Sequence, residues 1–444
     1  MDGLSEETVE EISSRKKEPS WMRKWRLDAL AQFKEAELPK WGPDLGGIDF
    51  SDVTYYFSPG QEKVRTWEDV EPELREKFEK LKVPEAERKF LAGLEAQLES
   101  EAIYGNLKKE WEKKGVIFTN METAVQKHPE LVRKYLGTVI KSGENPFTAL
   151  TNAVWSGGSF VYIPRGVEVS LPLHAFFLIS TEGIGQFERT LIIADEGSSV
   201  HYVEGCLAPF YPKANLHTGV VEVVAEKGAK VRYTTLQNWS RNVYNLVTQR
   251  ALAKENAYME WVDGNMGSRV SMKYPGVVLA GEGARGNVIS ISIAAKGQEQ
   301  DCGGRMLHLA PNTSSAVTSK GISSGGGIST FRADVRIEEG ARGCNSFVKC
   351  HGLMLDGVSK NNSIPSYYVG NGDSFISHEA SAGRLSERKL FYLMSRGLSR
   401  AEAEEMVVMG FFRPFMEELP FEYAVEFNRL LQMEIEEAAA PRNL

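Results

Sequence analysis

Cysteine is scarce in this chain. Four in 444 residues, Cys206, Cys302, Cys344 and Cys350, do not make a disulfide framework. They fit a reducing cytoplasm, where a thiol stays free. A basic excess is also missing. The 52 Lys and Arg against 60 Asp and Glu leave a net charge of −8, which argues against a general nucleic-acid binder with a concentrated basic face. No run approaches the roughly 18 apolar residues of a membrane span. The first residues, MDGLSEETVEEISSRKKEPS, have no apolar segment, so no signal peptide is read. No G-x-x-x-x-G-K-[ST] occurs, and P-loop ATP hydrolysis is not expected of this chain.

What is present divides the chain in three. Residues 1–150 are charged and read as mostly helical. PELREKFEKL and PEAERKFLAGLEAQLES both open on Pro followed by acids, as helices do. DLGGIDFSDVTYYFSPG reads as loop with a short strand, and the segment from about 115 mixes a strand with a short helix. Residues 151–385 are rich in Gly, Val, Ile, Ser and Thr in short alternating strands. Residues 386–444 return to helix, with Ser399-x-x-Glu402 as a capping box before an apolar run.

The middle segment repeats. DEGSSVHYVEG, EKGAKVRYTTL, KENAYMEWVDG, GEGARGNVISI, APNTSSAVTSK and EEGARGCNSFV each place a turn residue before a strand. The turn residues are Gly197, Gly228, Asn256, Gly283, Asn312 and Gly340, at separations of 31, 28, 27, 29 and 28. A period near 30 without helix signal predicts a β-solenoid, a parallel β-helix. Gly and Asn suit corners that need positive φ. In such a fold equal offsets from the corner stack in one column. Cys206 and Gln237, each nine residues past a corner, should be neighbours on adjacent rungs. Cys350, ten past Gly340, should lie near that column several rungs away, and Glu379 one rung beyond Cys350.

GEGARG, residues 281–286, matches G-x-G-x-x-G, but the strand-like NVISISIAA follows it where a dinucleotide site needs a helix. Cys344 and Cys350 are six apart with His351 adjacent, unlike the C-x-x-C pairs of zinc ribbons and ferredoxins. Cys302 and Cys344 read as small buried hydrophobes, whereas Cys350 is open to either reading. His378 and Glu379 in SHEAS do not form H-E-x-x-H. They are either a polar exit from the last rung or an imidazole and a carboxylate facing Cys350. His128, His174, His201, His217 and His308 are scattered and read as structural.

NAVWSGGSFVYIPRGVEV, GQFERTLIIADEGSSVHYVEGC, LQNW, KYPG, SKGIS and HEASAGRLSERKLFYLMSRGLS together resemble SufB of the SufB/SufD family, the scaffold of the SUF iron–sulfur cluster assembly machinery, from about residue 104 onward. The resemblance implies a right-handed parallel β-helix flanked by helical regions, and a non-enzymatic assembly scaffold. Cys350 matches the cysteine that holds sulfur or nascent cluster, with Glu379 and His378 beside it as metal ligands. Cys206 matches the inner sulfur-accepting cysteine, and Gln237 and Trp239 match residues lining a sulfur path between the two. The implied cofactor is a transient Fe–S cluster, and a reduced flavin is suggested for some relatives.

Implied partners are the SUF ATPase SufC on the C-terminal helices, the SufD paralogue or a second copy at the end of the β-helix, a sulfur donor protein and apo Fe–S proteins. Leu178, Ser180 and Gln249 depart from the Arg, Asn and Lys of some members. The alternative expectation is a SufD-like structural subunit, which would share the fold and lack most of the chemistry.

Overall fold

The computed structural model describes residues 3–417 apart from 59–63, 67–68, 71, 73–74, 76–90, 179–182 and 208–214. Among the described residues, strands stack into two long sheets of a parallel β-solenoid. One sheet runs through Leu173–Leu178, Ser199–Leu207, Lys230–Trp239, Tyr258–Gly267, Arg285–Ala294, Ser314–Ser323, Asn345–Met354 and Phe375–Arg384. The other runs through Ser159–Ile163, Gln186–Ala194, Asn215–Ala225, Val243–Ala253, Val270–Lys273, Glu299–His308, Ile328–Ile337 and Lys360–Val369.

The corners explain the repeat. Gly166, Gly197, Gly228, Asn256, Gly283, Asn312 and Gly343 all have φ between 54° and 71°. Each of the first six donates its N–H to a carbonyl of the next rung, Gly197 to Lys227 and Asn312 to Arg342 among them. A side chain other than Asn is strained at that φ. The seventh corner is Gly343, not the expected Gly340. Glu339 and Gly340 form a separate turn that inserts three residues before it. Gly283 is one of these corners and leads into the strand Arg285–Ala294, so the GEGARG motif is a solenoid corner.

Alternate strand residues point into the solenoid. Val161, Val231, Tyr233, Trp261, Val288 and Val317 belong to one apolar interior cluster. The outer face of the second sheet, at Phe187, Leu246 and Val270, is covered by α1 (Glu6–Arg15), α2 (Ser20–Glu35) and a further N-terminal helix, Pro146–Val154. The outer face of the first sheet, at Leu236, Val262, Ile291 and Ile322, is covered by the C-terminal helix Arg400–Met416 through Val408, Phe412 and Phe415. That helix starts with the expected capping box of Ser399 and Glu402, and a shorter helix, Glu387–Met394, precedes it.

One expected helix is a hairpin. Gly93–Leu98 and Glu101–Leu107 pair antiparallel, and Gly93–Leu98 also pairs parallel with Leu173–Leu178. The Leu, Glu, Ala and Gln of this stretch favour helix, but Leu94, Ala96 and Leu98 also alternate at period two and bury one face. Pairing to the solenoid overrides propensity. Residues 84–90 of the same expected helix lie outside the described residues, as does most of PELREKFEKL.

Candidate functional site

Strand parity decides which side chains enter the solenoid. On Asn345–Met354, Ser346, Val348 and Cys350 point inward and Phe347 and Lys349 outward. Cys350 lies seven residues after the true corner Gly343, and Cys206 nine after Gly197. The offsets differ by two, so both thiols face the interior. Cys206 is in register with Gln237 and then Asn265, as the offset predicted for Gln237. Cys350 belongs to the neighbouring inward column of Glu204, Thr235, Asp263, Ser290 and Ser319. Five strand steps separate the two cysteines, about 24 Å at about 4.8 Å per step.

Cys350 sits one strand from the open end. Its Sγ is 3.3 Å from Ser363 Oγ and 3.5 Å from His378 Nε2. Tyr367 stands edge-on to the His378 ring at 5.6 Å, and burial followed by the charge of Cys350 raises its phenol above the ordinary range. The thiol borders a cavity of about 110 Å³, which Ser319, Asn361 and Ser363 also line. A thiol and an imidazole with room beside them form a partial, open ligand set of soft sulfur and borderline nitrogen.

Glu379 is not part of that set within one chain. His378 is in register with Val348 and points inward, whereas Glu379 is in register with Lys349 and points outward. Its carboxylate lies 3.5 Å from Lys349 Nζ on the exposed face. The expectation that Glu379 faces Cys350 is off by one residue, and in a strand one residue changes the face. Lys349 and His351 point outward as well, His351 to Ser381 at 2.7 Å, so His378 rather than either is the basic group beside the thiol.

The inner cysteine has different company. Cys206 is fully buried, with Sγ 3.7 Å from Glu204 Oε1. Ligand atoms of Glu188, Glu204 and Cys206 all lie within 4.8 Å of one another. Burial, then the adjacent Glu188, pushes the Glu204 carboxyl up to about 7. Burial and the two carboxylates push the Cys206 thiol well up. Gln237 Oε1 accepts from Asn245 Nδ2 at 2.7 Å and from Trp239 Nε1 at 3.4 Å. The Trp239 ring lies 4.4 Å from that of His217.

A polar seam continues from here through an otherwise apolar interior. On the second sheet the inward column is His217, Asn245, Ser271, Gln300, Ser329 and Asn361. Beside it Lys273, buried and 2.5 Å from Asp263, is in register with Cys302. Gln249 is buried in the second sheet. Leu178 packs in an apolar cluster with Leu94 and Phe176, and Ser180 lies outside the described residues. Cys302 and Cys344 are buried thiols, Cys344 touching Thr313 Oγ1 at 3.0 Å.

Glu188, Glu204, His217, Asn245 and Lys273 were missed in the sequence. Their signal is a polar residue at an inward position of a strand whose other inward positions are apolar, such as Glu204 after Tyr202.

The molecule is thus a parallel β-solenoid with free thiols at both ends of an internal polar seam. Residues 177–411 match the family model described as SUF system FeS cluster assembly, SufBD core domain, and residues 5–174 match the SufBD protein N-terminal region. The chain is 52% identical over 434 residues to an iron-sulfur cluster assembly SufBD family protein of Staphylococcus saprophyticus, covering 98% of this chain and 93% of that protein. The same identity and coverage hold for a protein of that description in Staphylococcus aureus strain USA300. This chain belongs to the SufBD family of iron–sulfur cluster assembly proteins.

Proposed function

We propose that this chain is an assembly scaffold that receives sulfur and iron, builds a nascent iron–sulfur cluster as its cargo, and passes it to apo-proteins. The observation that carries this reading is the contact of Cys350 with His378 beside a cavity at the open end. Four good ligands would hold a cluster too tightly to release it, and one thiol with one imidazole leaves positions for exchange. A second copy or the SufD paralogue would supply the rest across the end strands. Glu379 stands at that rim, held by Lys349, where a partner can use it.

Sulfur enters at Cys206 in this reading. The Cys206 thiol gives its proton to Glu204 Oε1, 3.7 Å away, as its sulfur attacks the outer sulfur of a donor persulfide, forming a new persulfide and releasing the donor thiolate. Two electrons then split that persulfide to thiolate and hydrosulfide, and a reduced flavin is a fitting source. The donors and acceptors of the seam, Gln237 and Trp239 among them, solvate the hydrosulfide on its way to Cys350. SufC binding ATP on the C-terminal helices would shift the two-state interface and expose the site.

Anaerobic reconstitution with ferrous iron tests the scheme by visible absorption. With free sulfide, Cys350→Ser should lose the cluster chromophore and Cys206→Ser should keep it. With sulfur delivered by a persulfide donor, both should lose it. Wild-type cluster in Cys350→Ser removes the central role given to that residue. A colourless wild type that still binds the ATPase turns the reading toward a structural subunit.

A further inference from the structure

The inner end of the seam has the geometry of a second metal site, independent of the cluster reading at Cys350. The sulfur-to-oxygen distance between Cys206 and Glu204, 3.7 Å, is close to one edge of a tetrahedron with metal–sulfur and metal–oxygen bonds of about 2.3 and 2.1 Å. Glu188 completes a set of three ligand atoms within 4.8 Å. His217 Nε2 lies 3.6 Å from Glu188 Oε2.

The tautomer of His217 is fixed from a distance. Asn245 Nδ2 donates to Gln237 Oε1 at 2.7 Å, which leaves Asn245 Oδ1 as an acceptor, 2.7 Å from His217 Nδ1. His217 Nδ1 therefore carries the proton, and in the neutral ring Nε2 presents a lone pair. That nitrogen is buried and has no hydrogen-bond partner, and Glu188 Oε1 has none either. The ring is 1% exposed and Glu188 5%. A lone pair facing a carboxylate in a dry interior calls for a cation between them. An imidazole held through its other nitrogen by a side-chain oxygen is how proteins present histidine to a metal.

Charge points the same way. The inward ionisable groups of this region are the acids Glu188, Glu204 and Asp263 and the base Lys273, which is spent on Asp263. That leaves two carboxyls and the Cys206 sulfur around one space with Lys273 already paired, and a divalent ion offsets most of the negative charge they carry once the thiol proton has gone. The mixed sulfur, oxygen and nitrogen donors suit a borderline ion such as ferrous iron, zinc or cobalt rather than magnesium or calcium. We propose that Cys206, Glu188 and Glu204 bind one divalent transition-metal ion at the inner end of the solenoid, and that His217, outside that close set of three but 3.6 Å from Glu188 Oε2, moves in as the fourth ligand. Binding displaces the thiol proton, so the same sulfur cannot hold a metal and accept a persulfide sulfur at once.

Cobalt(II) titration of the reduced full-length chain under anaerobic conditions tests this, because thiolate-to-cobalt charge transfer reports sulfur ligation without any cluster. The expected result in Cys350→Ser, which removes the thiol of the other ligand set, is a near-ultraviolet band saturating at one equivalent, lost when Cys206→Ser is added and suppressed by zinc. If Cys206→Ser loses β-sheet circular dichroism, Glu188→Gln decides in its place. A tenfold or greater weakening of cobalt binding supports the site, and unchanged binding overturns it. A band that is absent from Cys350→Ser, or that survives in the double variant with Cys206→Ser, also overturns it. Cluster reconstitution at Cys350 can succeed or fail in every one of these cases.

Discussion

At the residue scale, the interior of the solenoid holds groups that would be costly in an oily core, and away from the inner cysteine some of them are both neutral and fully paired. His308 is an example away from either thiol site. Its Nδ1 is 2.8 Å from Thr313 Oγ1 and its Nε2 2.9 Å from Ser315 Oγ. Burial lowers its pKa from the ordinary 6.5 to about 4. Below 6.5 the unfolded chain binds a proton that the folded chain refuses. The stability linked to His308 is therefore complete above pH 6.5 and is lost as pH falls toward 4, by at most about 3 kcal/mol. His308→Gln should remove that loss. Urea denaturation of both proteins at several pH values checks it, and parallel curves between pH 7 and 4 would refute the neutral buried imidazole.

At the element scale, the features that repeat were the legible ones. Corners needing positive φ accept Gly and Asn, so Gly197, Asn256 and Asn312 marked the rungs, and the register of Cys206 with Gln237 followed from counting. The misses have separate causes. The turn at Glu339 and Gly340 hid the true corner Gly343, and the position that matches it on the next rung is Asp373 rather than Gly372, so with a two-residue period a miscount of one moved Glu379 to the wrong face. The hairpin Gly93–Leu107 was hidden because its residues favour helix and its pairing partner lies about 80 residues away. The capping box was legible because it is local. The docking of its helix was not, since Val408, Phe412 and Phe415 meet strands spread from Leu236 to Ile322. Phe412 is fully buried there, and Lys320 Nζ donates to the carbonyl of Phe411 at 2.6 Å. Phe412→Ala should cost about 3–5 kcal/mol of that docking. Hydrogen exchange should rise across residues 400–416 while the solenoid strands stay protected. Unchanged exchange would mean that the helix is held by other contacts.

At the scale of the whole molecule, the solenoid ends, among the described residues, on unpaired edges. Lys360–Val369 and Phe375–Arg384 are the terminal strands of their sheets, at the end where Cys350 lies. Open edges with apolar side chains invite pairing. Ile364, Tyr367, Tyr368, Val369 and Phe375 are all well exposed there, Phe375 at 53% and Tyr368 at 47%. Arg336 stacks over the Tyr368 ring at 4.6 Å, which keeps that side chain on the outer face of the last rung. If the proposed scaffold works as a pair joined at this end, the cluster ligands and the association surface are neighbours, and one cannot be disturbed without the other. A charge placed on the edge tests this without touching Cys350 or His378. Tyr368→Glu should leave the fold intact by circular dichroism, because the site is exposed in the single chain. It should lower association with a second copy or the paralogue at least tenfold in sedimentation, and cluster yield on reconstitution should fall with it. Full cluster yield from a strictly monomeric Tyr368→Glu chain would mean that Cys350 and His378 suffice on their own, and that the open end serves some purpose other than completing the site.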